Sequence, residues 1–195
     1  MKQIPNIITA ARIVLAPVIA LLIVHIHHLN SDVATASSVS SLAWLAVGLF
    51  ILACVSDWLD GYLARQMKVV SSIGRMLDPI ADKLLVAGCL LALALDFGAD
   101  YLFIIPALII LFRELLISGL REHLAGAEIV VPVSLLAKWK TAAQMTALGL
   151  LMAVPAQPDW SWVAPAGIAV LWISALMTSY TGWQYFTAAA DHLRD

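Results

Sequence analysis

The chain has few charged residues and almost no cysteine. Only 12% of its 195 residues are Asp, Glu, Lys or Arg, whereas soluble domains carry about 25%. Its two cysteines, Cys54 and Cys89, lie in apolar runs and show neither a disulfide-framework spacing nor a metal-binding spacing. With 62% hydrophobic residues and a mean hydropathy of +0.92, the composition excludes a soluble globular domain and a disulfide-stabilised secreted domain.

Lysine and arginine are absent from three long stretches, residues 13–64, 84–112 and 141–193. A bilayer core about 30 Å thick needs roughly 20 apolar residues per helix. Apolar windows of that length predict six transmembrane helices, near residues 12–29, 40–66, 78–97, 101–123, 134–154 and 161–187. In this arrangement every Lys and Arg lies on the side that holds both termini. The opposite side carries only acids and histidines, among them His25, His27 and His28.

The positive-inside rule then places both termini in the cytoplasm. We expect an all-α integral protein of the bacterial inner or plasma membrane type, in which residues 1–195 form a single transmembrane domain. The first twelve residues, with Lys2, Pro5 and Arg12, further predict a short juxtamembrane helix along the cytoplasmic surface.

One interval between basic residues is too short for two full membrane crossings. Only 29 residues separate Lys83 from Arg113, and they must hold two helices and a turn at Gly98. Each helix then has roughly 12 residues, or about 18 Å, which is less than the bilayer core. We therefore expect Asp82, Lys83 and Arg113 to lie below the membrane surface, in a polar cavity open to the cytoplasm.

Four aspartates lie within residues 57–82 of this apolar chain, where each unmatched carboxylate costs several kcal/mol. Asp57 and Asp60 are spaced i, i+3 on the second predicted helix, and Asp78 and Asp82 are spaced i, i+4 on the third, so each pair shares a helix face. Oxygen-only ligands suit hard cations such as Mg²⁺ or Mn²⁺. The alternative is a set of structural ion pairs with the nearby bases Arg65, Arg75 and Lys83, but four acids exceed three bases.

The segment reads D-x2-D-G-x2-A-R-x8-G-x3-D-x3-D from Asp57 to Asp82. At all eight defined positions it resembles the signature of the CDP-alcohol phosphatidyltransferase family. The resemblance implies an enzyme that transfers a phosphatidyl group from a CDP-linked lipid to an alcohol and releases CMP. It also implies six transmembrane helices and a homodimer, and we expect no nucleic-acid partner.

The same resemblance implies roles for single residues. It identifies Asp57, Asp60 and Asp78 as ligands of two Mg²⁺ or Mn²⁺ ions. Asp82 corresponds to the catalytic base, with metal contact as well. The surface that receives the cytidine diphosphate corresponds to Gly61, Ala64, Arg65 and Gly74.

Basic residues outside the signature point to the acceptor alcohol. The segments around Arg113 and Arg121, around Lys138, and from Asn6 to Arg12 resemble those of family members that use glycerol 3-phosphate. Excess positive charge beside the aspartates suits an acceptor that carries its own phosphate. We therefore predict CDP-diacylglycerol and glycerol 3-phosphate as substrates, with Arg113, Arg121 and Lys138 binding the acceptor phosphate. Arg121 and Lys138 are also interpretable as ordinary positive-inside anchors.

Two alternatives stay open from the sequence. The same chemistry can serve another acceptor, such as inositol phosphate, serine or phosphatidylglycerol. A more distant alternative is a cation transporter whose ion pathway is formed by the aspartates, although no inverted repeat is visible.

Overall fold

The computed structural model describes residues 4–31, 36–67, 72–98, 100–126 and 135–190. Within these ranges the structure describes only the backbone of residues 4–6, 31, 58, 60–67, 72, 73, 75, 125, 126, 135, 137 and 190. This part of the chain forms six helices: α1 (Ile4–Ser31), α2 (Ala36–Met67), α3 (Ser72–Phe97), α4 (Tyr101–Gly126), α5 (Leu135–Ala153) and α6 (Val163–Ala190). The predicted all-α fold is confirmed over these residues.

Four helices are long and apolar enough to cross a bilayer, over the segments Ile7–Asn30, Ala36–Asp57, Tyr101–Leu124 and Val163–Ala189. Within the described residues, α3 and α5 do not meet that criterion. The first turns of α3 carry Asp78, Asp82 and Lys83, and α5 has 19 residues with Lys138 and Lys140 near its start. The fold therefore supports an integral membrane protein, while membrane crossing by α3 and α5 stays a prediction.

Helices α1 and α3 run parallel and pack side by side. Three polar contacts join them at sequence separations of 69, 70 and 69 residues: Thr9 with Asp78, Arg12 with Asp82 and His27 with Asp96. A nearly constant separation from residue 9 to residue 27, about 27 Å along a helix, requires parallel helices in one register. Between these contacts a Cβ built on Gly88 would lie 3.4 Å from the Cβ of Ala20. Small residues at this crossing let the two helices approach closely.

The second half of the chain forms another group of helices, in which α6 packs against both α5 and α4. Helix α2 connects the two groups, because it contacts α1 on one side and α5 on the other. The turn between α3 and α4 contains Gly98 with φ of +59°, a conformation that favours glycine. The turn predicted at Gly98 is thus present. The apolar core lies between the two groups, where the largest fully buried side chains include Phe50, Leu85 and Leu148.

Two predicted boundaries are wrong. From residue 4 onward, where the structure describes the chain, no separate juxtamembrane helix precedes residue 12, because α1 is continuous from Ile4. Pro5 lies in its first turn, where proline is tolerated, and no glycine or proline follows until Pro17. Likewise α3 begins at Ser72 rather than near residue 78, so that Pro79 lies inside the helix. Hydropathy windows locate only the apolar part of a helix, whereas both helices extend into polar sequence.

Candidate active site

The buried face of α1 brings the signature aspartates together. Thr9 and Arg12 are one helical turn apart on that face, and each is 1% exposed. Thr9 donates a hydrogen bond from Oγ1 to Asp78 Oδ1 at 2.7 Å. Arg12 Nη1 donates to Asp82 Oδ1 at 2.7 Å and also to Asp57 Oδ1. Three of the four aspartates, from α2 and α3, therefore meet at one segment of α1.

Asp57 and Asp82 share a single nitrogen atom of Arg12. Their Oδ1 atoms are separated by at most two hydrogen-bond lengths, or about 6 Å. This contact brings the aspartate-bearing parts of α2 and α3 together. The side chains of Asp57 and Asp82 are 47% and 45% exposed, whereas that of Arg12 is 0% exposed. The guanidinium thus lies beneath the carboxylates, which open outward.

The charges at this site do not balance among the described side chains. Three carboxylates face one guanidinium, while Thr9 contributes only a neutral hydrogen bond. Within the described part of the chain, Asp57 and Asp78 bond through Oδ1, and their Oδ2 atoms are not engaged. Carboxylate oxygens that no described side chain engages fit a hard divalent cation. No group of three His, Cys, Asp or Glu close enough to hold a metal occurs among the described residues.

Several predicted site residues lie outside the described side chains. The backbone places Asp60, Gly61, Ala64 and Arg65 in the last turns of α2, after Asp57. Gly74, near the start of α3, is described and buried. The predicted metal ligand Asp60 and the predicted nucleotide surface at 61, 64 and 65 therefore stay predictions.

Sequence reasoning gave Thr9 and Arg12 no role at the aspartates. One signal was available, because residues 1–31 contain no acid at all. Since a charged residue at membrane depth needs a partner, Arg12 had to find its acid on another helix. The spacing of Thr9 and Arg12, i and i+3, also places both on one helix face.

A second polar cluster joins α4, α5 and α6. Glu114 Oε1 accepts hydrogen bonds from Arg113 Nη1 at 3.0 Å and from Lys140 Nζ. Lys140 Nζ also donates to Thr178 Oγ1 at 3.2 Å. Arg113 reaches α6 as well, where Nε donates to the Thr178 carbonyl and Nη2 to Thr181 Oγ1, both at 3.1 Å. Two cations therefore share one carboxylate, and the cluster carries one surplus positive charge.

Close packing fixes the position of Arg113 in this cluster. A Cβ built on Gly182 of α6 would lie 3.1 Å from Arg113 Cγ and 3.2 Å from its Nε. Only a residue without a side chain leaves Arg113 in place there. The interior position predicted for Arg113 is consistent with its side-chain exposure of 15%.

The three residues predicted to bind the acceptor phosphate have different surroundings. Within the described part of the chain, the hydrogen bonds of Arg113 go to Glu114, Thr178 and Thr181. Arg121 is exposed, with its guanidinium carbon 5.9 Å from the centre of the Tyr185 ring. Lys138 is exposed, while Lys140, two residues later, is the buried lysine of the segment. Lys140 is a residue that sequence reasoning did not select.

A protein-family model described as CDP-alcohol phosphatidyltransferase matches residues 2–180. The chain belongs to this family. The matched CDP-alcohol phosphatidyltransferase region includes α1 with Thr9 and Arg12, all four aspartates, and Arg113, Glu114 and Lys140 of the second cluster. The family predicted from the signature is confirmed. Members of the family generally use divalent metal ions, which agrees with the donor atoms at the aspartates.

Curated relatives are similar over nearly the whole chain. The chain is 44% identical over 192 residues to the CDP-diacylglycerol–glycerol-3-phosphate 3-phosphatidyltransferase of Rickettsia typhi, covering 98% of this chain and 99% of the relative. Proteins of the same name are 36% identical in Cereibacter sphaeroides, covering 99% and 98%, and 35% identical in Bacillus subtilis, covering 100% and 98%.

Proposed function

We propose that this CDP-alcohol phosphatidyltransferase transfers a phosphatidyl group from CDP-diacylglycerol to glycerol 3-phosphate, giving phosphatidylglycerophosphate and CMP. The observation that carries the proposal is the convergence of Asp57, Asp78 and Asp82 on the Thr9–Arg12 face of α1. The names of the curated relatives support the acceptor. The enzyme class and function predicted from the sequence agree with the convergence of the aspartates and with the names of the relatives.

In this proposal two divalent ions, Mg²⁺ or Mn²⁺, are held by Asp57, Asp60, Asp78 and Asp82. When bound, such ions neutralise a diphosphate and the charge that develops on the leaving CMP. The half-exposed carboxylates support this assignment, because their oxygens remain accessible above the buried Arg12. Gly61, Ala64, Arg65 and Gly74 form the surface that receives the cytidine diphosphate.

Asp82 is proposed as the general base. An acceptor hydroxyl of glycerol 3-phosphate attacks the phosphorus that bears the diacylglycerol, and Asp82 takes the hydroxyl proton. The bond from that phosphorus to the bridging oxygen breaks, and the electron pair leaves with CMP. A positioned base of this kind typically contributes a rate factor of about 10² to 10⁴. Arg12 fixes the orientation of the Asp82 carboxylate through its 2.7 Å hydrogen bond.

Arg113, Arg121 and Lys138 are proposed to bind the acceptor phosphate. The surplus positive charge of the cluster around Glu114 supports an anionic ligand on this side of the protein. Arginine suits a phosphate because its planar fork donates two parallel hydrogen bonds. Lys140 and Arg113 donate to the same Glu114 oxygen, so Lys140 sets the geometry of this cationic group.

The membrane arrangement is proposed to be six crossings by a single domain, with both termini and the aspartates on the cytoplasmic side. The distribution of Lys and Arg supports this orientation. A homodimer is proposed from the resemblance to the family.

The proposal predicts the products of a direct assay. Purified protein is incubated with CDP-diacylglycerol, Mg²⁺ and one of four acceptors: glycerol 3-phosphate, inositol phosphate, serine or phosphatidylglycerol. CMP release and the lipid product are then measured. We expect turnover with glycerol 3-phosphate. Turnover with another acceptor alone would refute the acceptor assignment, and cation flux into liposomes without a lipid product would favour a transporter.

Two aspartates of α3 provide a matched pair of variants for this assay. Asp82→Asn should lower kcat by at least about 100-fold while CDP-diacylglycerol binding largely survives. Asp96→Asn, which removes a carboxylate from the far end of the same helix, should keep most of the activity. Equal activity of the two variants would remove Asp82 as the base.

A further inference from the structure

Among the described side chains of the aspartate site, that of Arg12 is the most deeply buried charged one. Its side chain is 0% exposed, and it contacts Asp57 on α2 and Asp82 on α3. Among described residues it is therefore a cation that links the three helices α1, α2 and α3 at the carboxylates. Thr9, one turn earlier on the same helix, makes the neighbouring contact to Asp78 without any charge.

Two like charges separated by less than about 6 Å repel each other strongly when solvent screening is incomplete. The guanidinium offsets that repulsion, because its positive charge lies within hydrogen-bond distance of both carboxylates through Nη1. A divalent ion at the same carboxylates would offset the same repulsion. Arg12 and a bound divalent ion therefore offset the same repulsion between carboxylates.

We propose that Arg12 is a positioning residue that acts as a resident counter-charge for the metal site. It holds Asp57 and Asp82 together while the protein is free of metal, and it limits how tightly divalent ions bind. This inference rests on the metal site of the proposed function. It predicts that Arg12 matters most to the stability of the metal-free protein, because bound divalent ions take over its compensating charge.

The test compares thermal unfolding of the full chain in detergent with EDTA and with saturating MgCl₂. The variants are Arg12→Gln, which removes the charge, and Thr9→Val, which removes only the neutral hydrogen bond to Asp78. For Arg12→Gln we expect a large loss of Tm in EDTA and a smaller loss in Mg²⁺. For Thr9→Val we expect similar losses in both conditions.

A MnCl₂ titration, followed by the EPR signal of free Mn²⁺, measures the same coupling. The apparent Kd of Arg12→Gln for Mn²⁺ should fall by about tenfold, because a unit charge beside the ion is gone. If the Kd for Mn²⁺ is unchanged, and Arg12→Gln loses the same Tm in EDTA and in Mg²⁺, then Arg12 has only a packing role. Weaker Mn²⁺ binding would mean that Arg12 organises the metal site rather than competing with the metal.

A second variant keeps the inference testable if Arg12→Gln does not fold without metal. In the double variant Arg12→Gln/Asp57→Asn one negative charge is removed together with the positive one. It should recover most of the lost Tm in EDTA, and failure to recover would overturn the counter-charge role. Product formation by the wild type in the same preparation separates the two proposals. If the wild type is active and stabilised by metal while Arg12→Gln loses the same Tm in EDTA and in Mg²⁺, only the inference about Arg12 is refuted.

Discussion

Glu114 accepts hydrogen bonds from Arg113 and Lys140 through one carboxylate oxygen. Each of these side chains is at least three-quarters buried, with exposures of 24%, 15% and 8%. Removing one partner from such a group leaves charges that are neither solvated nor paired. At the residue scale, Glu114 is therefore a single charge bonded to two opposite charges, as Arg12 is at the aspartates.

Glu114→Gln should destabilise the protein by about 2–3 kcal/mol, somewhat less than breaking a fully buried ion pair. For a protein of this size the corresponding loss of Tm is about 5–10 °C. The KM for glycerol 3-phosphate should rise, because Arg113 loses the group that orients it. Glu122→Gln, at an exposed position of the same helix, is the matched control and should change stability by less than about 0.5 kcal/mol. The role given to Glu114 fails if the two variants unfold at the same temperature.

The sequence predicted much of the site at this scale but not its internal pairing. The spacing of Asp78 and Asp82 showed that they share a face, because helix geometry is local. No local pattern shows which distant residue lies opposite that face. Arg12 and Lys140 were missed for this reason, since their partners are 26 or more residues away in sequence.

At the scale of elements, the contact between α1 and α3 determines the geometry of the aspartates. The polar contacts of Thr9 and His27 lie near opposite ends of this contact, and Gly88 packs against Ala20 between them. A helix pair held at both ends and closely packed in the middle has little freedom to slide or separate. The positions of the Asp78 and Asp82 carboxylates relative to α1 therefore depend on packing several turns away.

Gly88→Leu should separate α1 from α3, because the new side chain has no room beyond a Cβ already 3.4 Å from the Ala20 Cβ. Overpacking of this kind costs about 1–3 kcal/mol, and a displacement near 1 Å at the aspartates can lower kcat by up to about 100-fold. Gly48→Leu on α2 is the control, since a Cβ there meets no atom within 4 Å. Unfolding temperature and CMP release measure both effects. Wild-type activity in Gly88→Leu would show that the α1–α3 spacing does not control the site.

At the scale of the whole molecule, the basic residues of α3 and α5 lie toward one end of each helix. Lys138 and Lys140 lie in the first turns of α5, and Asp78, Asp82 and Lys83 lie in the first half of α3. The 19 residues of α5 extend about 28 Å, close to the thickness of a bilayer core. Both helices are therefore long enough to cross, with their charged ends on the side predicted to be cytoplasmic.

Cysteine labelling can test this arrangement at exposed positions. A membrane-impermeant maleimide should label Tyr101→Cys and Pro158→Cys in intact cells, and Glu122→Cys only in inverted vesicles. Crossing by α4 separates residues 101 and 122, and crossing by α5 separates residues 122 and 158. The unsubstituted chain serves as the control for Cys54 and Cys89, of which Cys89 is buried. Labelling of residues 122 and 158 from the same side would show that α5 does not cross.

The sequence by itself determined the class of protein, the helical segments and the identity of the four aspartates. Hydropathy, charge distribution and the spacing of Asp57, Asp60, Asp78 and Asp82 are properties of a single chain segment or a single helix, so they can be predicted locally. The tertiary structure decided which residues compensate those charges. Arg12 meets Asp57 and Asp82, and Glu114 meets Lys140, only because α1 packs against α2 and α3, and α4 and α5 both pack near α6. A charge buried away from water needs an oppositely charged partner, but only the packing of helices determines which one it finds.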